Sequence, residues 1–528
     1  MFGLVMKSSL IFIFLIVYSF SFAQNKFILS NTFFKEKFIQ LSKGNSLTTF
    51  FPANEQQLNL NHLIRDSSKQ YTDISEYIFK HHIIELKNNL GHIHIDPYVH
   101  FAKGRFDLDT TGFPMFRNTR GIFAEGELGK NFSFDFVFTE NQARFQPYEH
   151  TYFNERGELY DFGEHYSLQN AIIPGGTRTK PFKEVGYDYA YSTGSIRYTA
   201  IRKLSIEMGN NKHFIGSGYR SLLLSDNAFY APNIKLDWKI NNKWNYTVLY
   251  EKNLNLYRKP LTYAVESNYE TKIFALSYLT FKPIQSLSVS LFASGNQLQG
   301  DSIMKHTAVG SHLIPLPLLQ NDLAINNQSN TINGITGLNI DWALKKVRIY
   351  SQLVIDKFES KTLLANQLGF YLFDAFTLKN VTVQLEWNQV PKDFYAARNP
   401  KLSYSHFNLP AAHPKGNNFN ELFVKLGYEL GRWYLTSKTN FYFNQGGDLK
   451  QQYASNSIYN TNYDYSQLTN GTTILQDVEL GLRFNRTYNG NIYFKYQGRA
   501  SQYGDIHPTY KCIWFGFKTS LFNEYFDL

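Results

Sequence analysis

The 528-residue chain holds a single cysteine, Cys512. That excludes a disulfide within the chain and any site built on several thiolates. It also leaves no cysteine near the N-terminal apolar stretch where a lipid anchor would attach. Charge is sparse: Asp, Glu, Lys and Arg make up 18% of the residues, below the about 25% of an average soluble domain. Long apolar runs are missing as well. Past the first two dozen residues no stretch approaches the ~20 apolar residues that a membrane-crossing helix needs. The net charge of +10, from 53 Lys and Arg against 43 Asp and Glu, is too mild to point to nucleic acid, and of the anionic partners it favours acidic lipid or acidic glycan.

Aromatic side chains are plentiful, at 17% of the chain, with 37 Tyr, 46 Phe and 6 Trp. Amphipathic rings settle at the level of lipid headgroups, so this excess suits a lipid-facing or interfacial surface. The N-terminus reads MFGLVMKSSLIFIFLIVYSFSFAQ. Lys7 lies in a short n-region, an apolar h-region comes next, and Ser21-Phe22-Ala23 precedes Gln24. This pattern predicts a cleaved secretory signal over residues 1–23 and hence export.

Residues 24–90 differ in pattern from the remainder of the chain. In TDISEYIFKHHIIEL, Asp73 is placed to cap a helix with Glu76 three residues on, and Ile74, Tyr77, Ile78 and Ile84 fall near helical spacing. The expectation is a small, partly helical periplasmic segment, with Lys80 to His82 on a solvated helix and its adjacent histidines wrongly spaced to share one metal ion. From His92 the period changes to two. Phe132, Phe134, Phe136 and Phe138 alternate with Ser133, Asp135 and Val137. Val478, Leu480, Leu482 and Phe484 alternate with Glu479, Gly481, Arg483 and Asn485 ahead of an Asn489-Gly490 turn. Glu386, Lys425 and Lys438 likewise face away from their apolar stripes. The last such strand is expected over 510–522, with Ile513, Phe515, Phe517 and Leu521 on one face and Phe526 as the terminal aromatic.

Eighteen such runs can be placed between residues 92 and 522. Tight turns near 129–130, 200–202, 242, 283–284, 345, 376–378, 430 and 487–489 alternate with long polar segments at 141–185, 211–232, 253–269, 295–333, 389–417 and 445–474. An even strand number with short turns at one end and long loops at the other describes an outer-membrane barrel. A soluble sandwich has no reason to segregate loop length in this way. The predicted fold class is all-β: a transmembrane outer-membrane antiparallel β-barrel of about 18 strands over residues 91–528, with a small N-terminal helical segment over 24–90. On this reading the Phe face of residues 132–138 meets lipid, while Ser133 and Asp135 face the lumen.

A barrel does not dictate function, so candidate sites come from loops and lumen. GNNKHFIGSGYRSLLLSDNAFYAP (209–232) combines Gly216 and Gly218 with Tyr219, Arg220, Asp226 and Asn227. SYSHFNLPAAHPKGNNFNE (403–421) supplies His406, His413, Lys415 and Asn417. Rings that stack on sugar C–H faces, beside charged and amide groups that bond hydroxyls and acidic substituents, are the chemistry of glycan recognition. The competing reading is turn chemistry that folds a loop into the barrel. The ligand-binding candidates are Tyr219, Arg220, Asp226, Asn227, His413 and Asn417, with no catalytic or metal residue and no cofactor.

NKHFIGSGYRSLLLSDNAFYAPNIKL resembles the signature of the Wzi family of outer-membrane capsule-assembly barrels, in the form found in gliding bacteria. RNTRGIFAEGELGKNFSFDFVFTENQ and YSHFNLPAAHPKGNNFNELF are similar to the same group. The resemblance implies an eighteen-stranded barrel with a small periplasmic helical element. It also implies a non-enzymatic role: binding surface polysaccharide at the cell exterior, or serving a gliding and adhesion apparatus. Expected partners are therefore outer-membrane lipid, a surface polysaccharide (acidic by the net charge) and gliding or surface-machinery proteins, with no nucleic acid. Two rival readings stand beside it. One is a passive or solute-selective porin with Arg483, Lys495 and Arg499 on the lumen face. The other is a structural subunit of a surface machine. No compact nucleophile–histidine signature marks an enzyme.

Overall fold

The computed structural model describes residues 27–28, 31–42, 46, 48–54, 79, 81–107, 113–129, 131–161, 166–169, 171–176, 178–183, 185–201, 203–258, 269–300, 332–358, 360–397, 399–444, 471–505 and 507–527. The expected signal segment 1–23 lies outside them, as do residues 73–78 of the expected helix and most of the loops at 253–269, 295–333 and 445–474.

The alternating runs form one closed antiparallel barrel of 18 strands. β1 is Gly91–Pro97 continued by His100–Phe106, and both halves pair with β2 (Met115–Leu128). Next along the chain are β3 (Phe132–Ala143), β4 (Gly186–Ile201), β5 (Leu204–Asn211), β6 (Ala231–Lys239), β7 (Trp244–Arg258), β8 (Tyr269–Ile284) and β9 (Leu287–Gly300). The second half comprises β10 (Ile332–Ala343), β11 (Val347–Phe358), β12 (Lys361–Phe373), β13 (Val381–Val390), β14 (Phe419–Leu430), β15 (Trp433–Asn444), β16 (Gly471–Asn485), β17 (Gly490–Tyr503) and β18 (Thr509–Thr519). β18 returns to β1, from Cys512 opposite Phe106 to Lys518 opposite His100, and so removes the sheet's edges.

The two faces of the wall follow the sequence alternation. Phe132, Phe136 and Phe138 stand on the outside at 49%, 40% and 41% exposure, whereas Ser133 is buried inside. Asp135 accepts a hydrogen bond from Ser195 Oγ at 2.6 Å and pairs with Arg197, which also donates to Glu207 at 2.9 Å. Exposed Leu, Ile and Phe continue around the belt. Trp238, Trp244, Trp342 and Trp433 project outward beside the short turns, which places an aromatic girdle at one interface. Short turns are periplasmic in such barrels, so the opposite end is extracellular.

Three expectations need correction. Ile84–Lys87 is a strand antiparallel to the first half of β1, not the end of a helix. Asn88 Oδ1 accepts from Leu90 N at 2.8 Å and Gly91 N at 2.9 Å, a local turn that competes with the helical alternative. His82, expected on a solvated helix, instead stacks on His94 at 3.8 Å and bonds Asp96 at 2.6 Å. Finally, β18 stops at Thr519 and the chain turns into the lumen. Leu521 is buried there, and Phe526 lies 5.7 Å from the Phe145 ring, away from the lipid edge.

The helix found in the N-terminal part is α1 (Thr32–Ser42), capped by Asn31, whose side chain accepts from Phe33 N at 2.9 Å. It sits inside the turn end of the barrel. Phe50–Phe51 then pairs in antiparallel fashion with Phe214–Ile215 within the lumen. At the other end α2 (Pro147–Glu155), with a Gln146/Glu149 capping box and Pro147 in its first turn, packs Tyr152 and Phe153 into the cluster of Phe145, Ile172, Ile173 and Tyr187.

Candidate functional site

Two loops leave the wall and turn inward. Residues 213–230, between β5 and β6, are all buried, as are residues 402–418 ahead of β14. A buried loop must find partners for its peptide groups, because an unpaired one costs as much as a lost hydrogen bond. Here the lumen face of the wall provides them. The Glu386 carboxylate accepts from Tyr219 N at 2.7 Å, Arg220 N at 3.1 Å and Tyr350 OH at 2.8 Å. Gln352 accepts from Leu222 N at 2.7 Å and donates to Ile215 O at 3.0 Å, and Gln367 donates to Arg220 O at 3.0 Å. The Gly-Ser-Gly run permits this approach. Gly216 has φ +112°, and a Cβ at Gly218 would stand 2.6 Å from Glu386 Oε2.

All six candidate residues lie in this plug, each at 5% exposure or less. The Tyr219 ring stacks on Phe423 at 4.1 Å, and its hydroxyl donates to Asp527 Oδ2 at 2.7 Å. Arg220 reaches Asp527 Oδ2 at 2.9 Å, Tyr442 OH at 3.0 Å, Asp527 O at 3.1 Å and Glu421 at 3.5 Å. Burial works against this cation, but Asp527, Tyr442 and Glu421 outweigh it and hold the pKa well above the usual arginine value. Asp226 accepts from Tyr525 OH at 2.7 Å and Asn523 at 2.8 Å. Asn227 donates to Pro410 O at 3.0 Å and Asn417 to Phe394 O at 2.8 Å. His413 Nδ1 accepts from Lys415 N at 3.1 Å, which leaves Nε2–H to donate to Glu421 at 2.7 Å. Burial lowers the His413 pKa in spite of Glu421.

The structure therefore brings Tyr219, Arg220 and Asp226 together around one object, the segment 520–527 that comes after β18. Sequence reasoning missed Asp527 and Tyr525. Nothing local announces contacts that span 297 to 308 residues. Lys35 of α1 is drawn to the same plug: its amine donates to Gly218 O at 2.8 Å above the Phe214 ring, and burial lowers its pKa to about 8.

A second feature lies at the turn end. Between α1, the segment 520–527 and the facing wall is a cavity of about 350 Å³. Lys438 and Lys495 share Asp477 at 3.6 and 2.9 Å. Lys518 pairs with Glu479 at 2.7 Å, and that carboxylate also accepts from Tyr434 OH at 2.7 Å. Lys37 and Arg483 share Glu429 at 2.8 and 3.3 Å. Phe33, Tyr434, Tyr493 and Trp514 add rings to the lining. The sequence alternation placed Lys438, Arg483 and Lys495 away from the lipid. It put Glu479 on the same face as Arg483 but did not join these residues with Asp477 and Lys518, although all sit on lumen-facing positions of adjacent strands.

No protein-family model matches the chain, and no curated protein matches it. Solved structures do. The Escherichia coli protein Wzi, described as an outer-membrane, carbohydrate-binding β-barrel involved in group 1 capsule assembly, aligns with 94% of this chain and 99% of its own, at a TM-score of 0.53 and 11% identity. The fold is shared with Wzi. OprD of Pseudomonas aeruginosa aligns with 80% of this chain and 94% of its own at TM-score 0.41 and 10% identity. OccAB4 of Acinetobacter baumannii aligns with 82% and 98% at 0.39 and 8%. At these identities the likeness to Wzi concerns the barrel architecture and leaves the sites of this chain to its own residues.

Proposed function

We propose that this chain is a plugged outer-membrane barrel that binds surface polysaccharide and carries out no enzymatic step. The observation that carries the reading is the filling of the lumen. Two loops, α1 and the segment 520–527 are locked to the wall by buried, charge-assisted contacts, which suits a binder better than a pore. The shared architecture with Wzi, itself described as carbohydrate-binding, supports it. Export through removal of residues 1–23, retention of the glycan at the cell exterior and service to gliding or adhesion are the finer parts of the same proposal. In this reading Tyr219, Arg220, Asp226, Asn227, His413 and Asn417 meet a ligand only after the plug moves.

Purified, detergent-solubilised protein is expected to retain the native cell-surface polysaccharide in a pull-down. Failure of the folded protein to do so overturns the reading. A solute-selective porin is the second reading, favoured only by the barrel's size. Planar-bilayer recording separates the two, with steady large currents for a pore and silence for a plugged binder.

A further inference from the structure

We propose that the vestibule at the turn end, walled by α1, β15–β18 and the segment 520–527, is a binding site for an acidic oligosaccharide that approaches from the periplasmic side. This rests on the reading of the chain as a polysaccharide binder and adds a second contact, made from the periplasmic side, that is distinct from retention of the glycan at the cell exterior and from the plug residues. The cavity of about 350 Å³ falls within the range of ligand pockets. Its wall carries a strip of alternating charge across four neighbouring strands: Lys438 on β15, Asp477 and Glu479 on β16, Lys495 on β17 and Lys518 on β18.

The strip is short of anions. Asp477 serves two ammonium groups, and Glu429 on the neighbouring β14 serves Lys37 and Arg483. Over the whole lining, seven Lys and Arg face five Asp and Glu. A ligand carboxylate entering here relieves two cations that share one partner, which is the condition under which an added anion gains most. The Lys438, Lys495 and Lys518 side chains are 27%, 23% and 20% exposed, so they remain reachable. Bound carboxylates and ammonium groups together offer acceptors and donors to sugar hydroxyls. The Phe33 and Tyr434 rings lie under the Arg483 guanidinium at 4.2 and 4.8 Å, and the Tyr493 ring under the Lys518 amine at 4.2 Å, contacts that hold these cations at the cavity wall.

The test is calorimetric titration of the full chain in detergent with a hexamer of galacturonate, with maltohexaose and with inorganic phosphate. The hexauronate is expected to bind at least tenfold more tightly than either comparison ligand. A Lys495→Gln, Lys518→Gln double variant is expected to lose at least tenfold in that affinity, and Lys495→Arg, Lys518→Arg to keep it. Unchanged gel mobility of the unheated protein shows that each barrel is folded. Equal hexauronate affinity in parent and Gln variant overturns the site. Equal binding of maltohexaose overturns the acidic class, and equal binding of phosphate reduces the vestibule to a free-anion site. No hexauronate binding alongside a positive pull-down of native polysaccharide sinks this proposal and spares the broader reading. Failure of both sinks both.

Discussion

Arg220 is the cation on which the plug turns, and its removal has a calculable cost. In Arg220→Ala, Glu421 keeps His413 at 2.7 Å, Asn388 at 2.8 Å and Asn440 at 2.6 Å. Asp527 keeps the Tyr219 hydroxyl at 2.7 Å, with Lys438 reaching it only through that hydroxyl, and so becomes a buried carboxylate without a directly paired cation. Breaking a buried pair in this way costs about 3–5 kcal/mol. The three Arg220 contacts of 3.1 Å or less lead to the same figure at about 1.5 kcal/mol for each hydrogen bond to a charged group. Because the wall keeps its own ladder of hydrogen bonds, the loss is expected in the plug first. The variant conducts in planar bilayers where the parent is silent, and its denaturant midpoint falls. Adding Asp527→Asn removes the orphaned charge and is expected to restore roughly half of the loss, a coupling that a double-mutant cycle measures directly. A silent Arg220→Ala whose stability falls by less than about 1 kcal/mol, the range of an exposed pair, would refute the reasoning.

His406 makes the plug sensitive to acid. Leu254 N–H donates to its Nδ1 at 3.0 Å and its Nε2 meets Tyr230 O at 3.2 Å, so the neutral ring fits and a second proton does not. Burial, with Lys272 and Lys212 adding to it, pushes its pKa down to about 3. The unfolded chain takes up a proton below the ordinary value near 6.5, so stability is expected to fall as pH drops from about 6.5 toward 3. In His406→Gln that part of the slope should vanish from melts recorded across this window. Gly218→Ala drives a Cβ to 2.6 Å from Glu386 Oε2 and 2.7 Å from Arg220 O, and an overpacking loss of about 1–3 kcal/mol should appear in urea unfolding. Phe136→Arg on the lipid face is expected to cost about 2–4 kcal/mol in a bilayer. If refolding into vesicles shows no loss for that variant, its outward placement is wrong.

Much of the barrel was legible because its signals are local. Side-chain period two, turn residues and loop length each depend on a few neighbouring positions, and the eighteen strands result from them. The errors lie where a local rule met a competitor. Asn88 turns the chain where Ile84 looked helical, and Leu521 continued an alternation that the inward path of the segment 520–527 overrides. The small N-terminal helical segment was expected within 24–90, but the position of α1 went unseen, since its residues pack against lumen partners such as Gly218 and Glu429 that no nearby sequence reveals. The plug residues were picked out by type, but their partners were not. A sugar-binding set and a set that clasps its own chain use the same side chains.

What the sequence by itself determined is a closed barrel with one apolar and one polar face, because strand pairing and lipid contact select residues by parity along the chain. What only the tertiary structure decided is which groups occupy the lumen. The carboxylate of Asp527 that faces Arg220, and the shared carboxylates of Asp477 and Glu429, are set by distances across the closed ring. Closure brings together strands that are far apart in sequence, and the low-dielectric interior then makes each of those meetings energetically decisive.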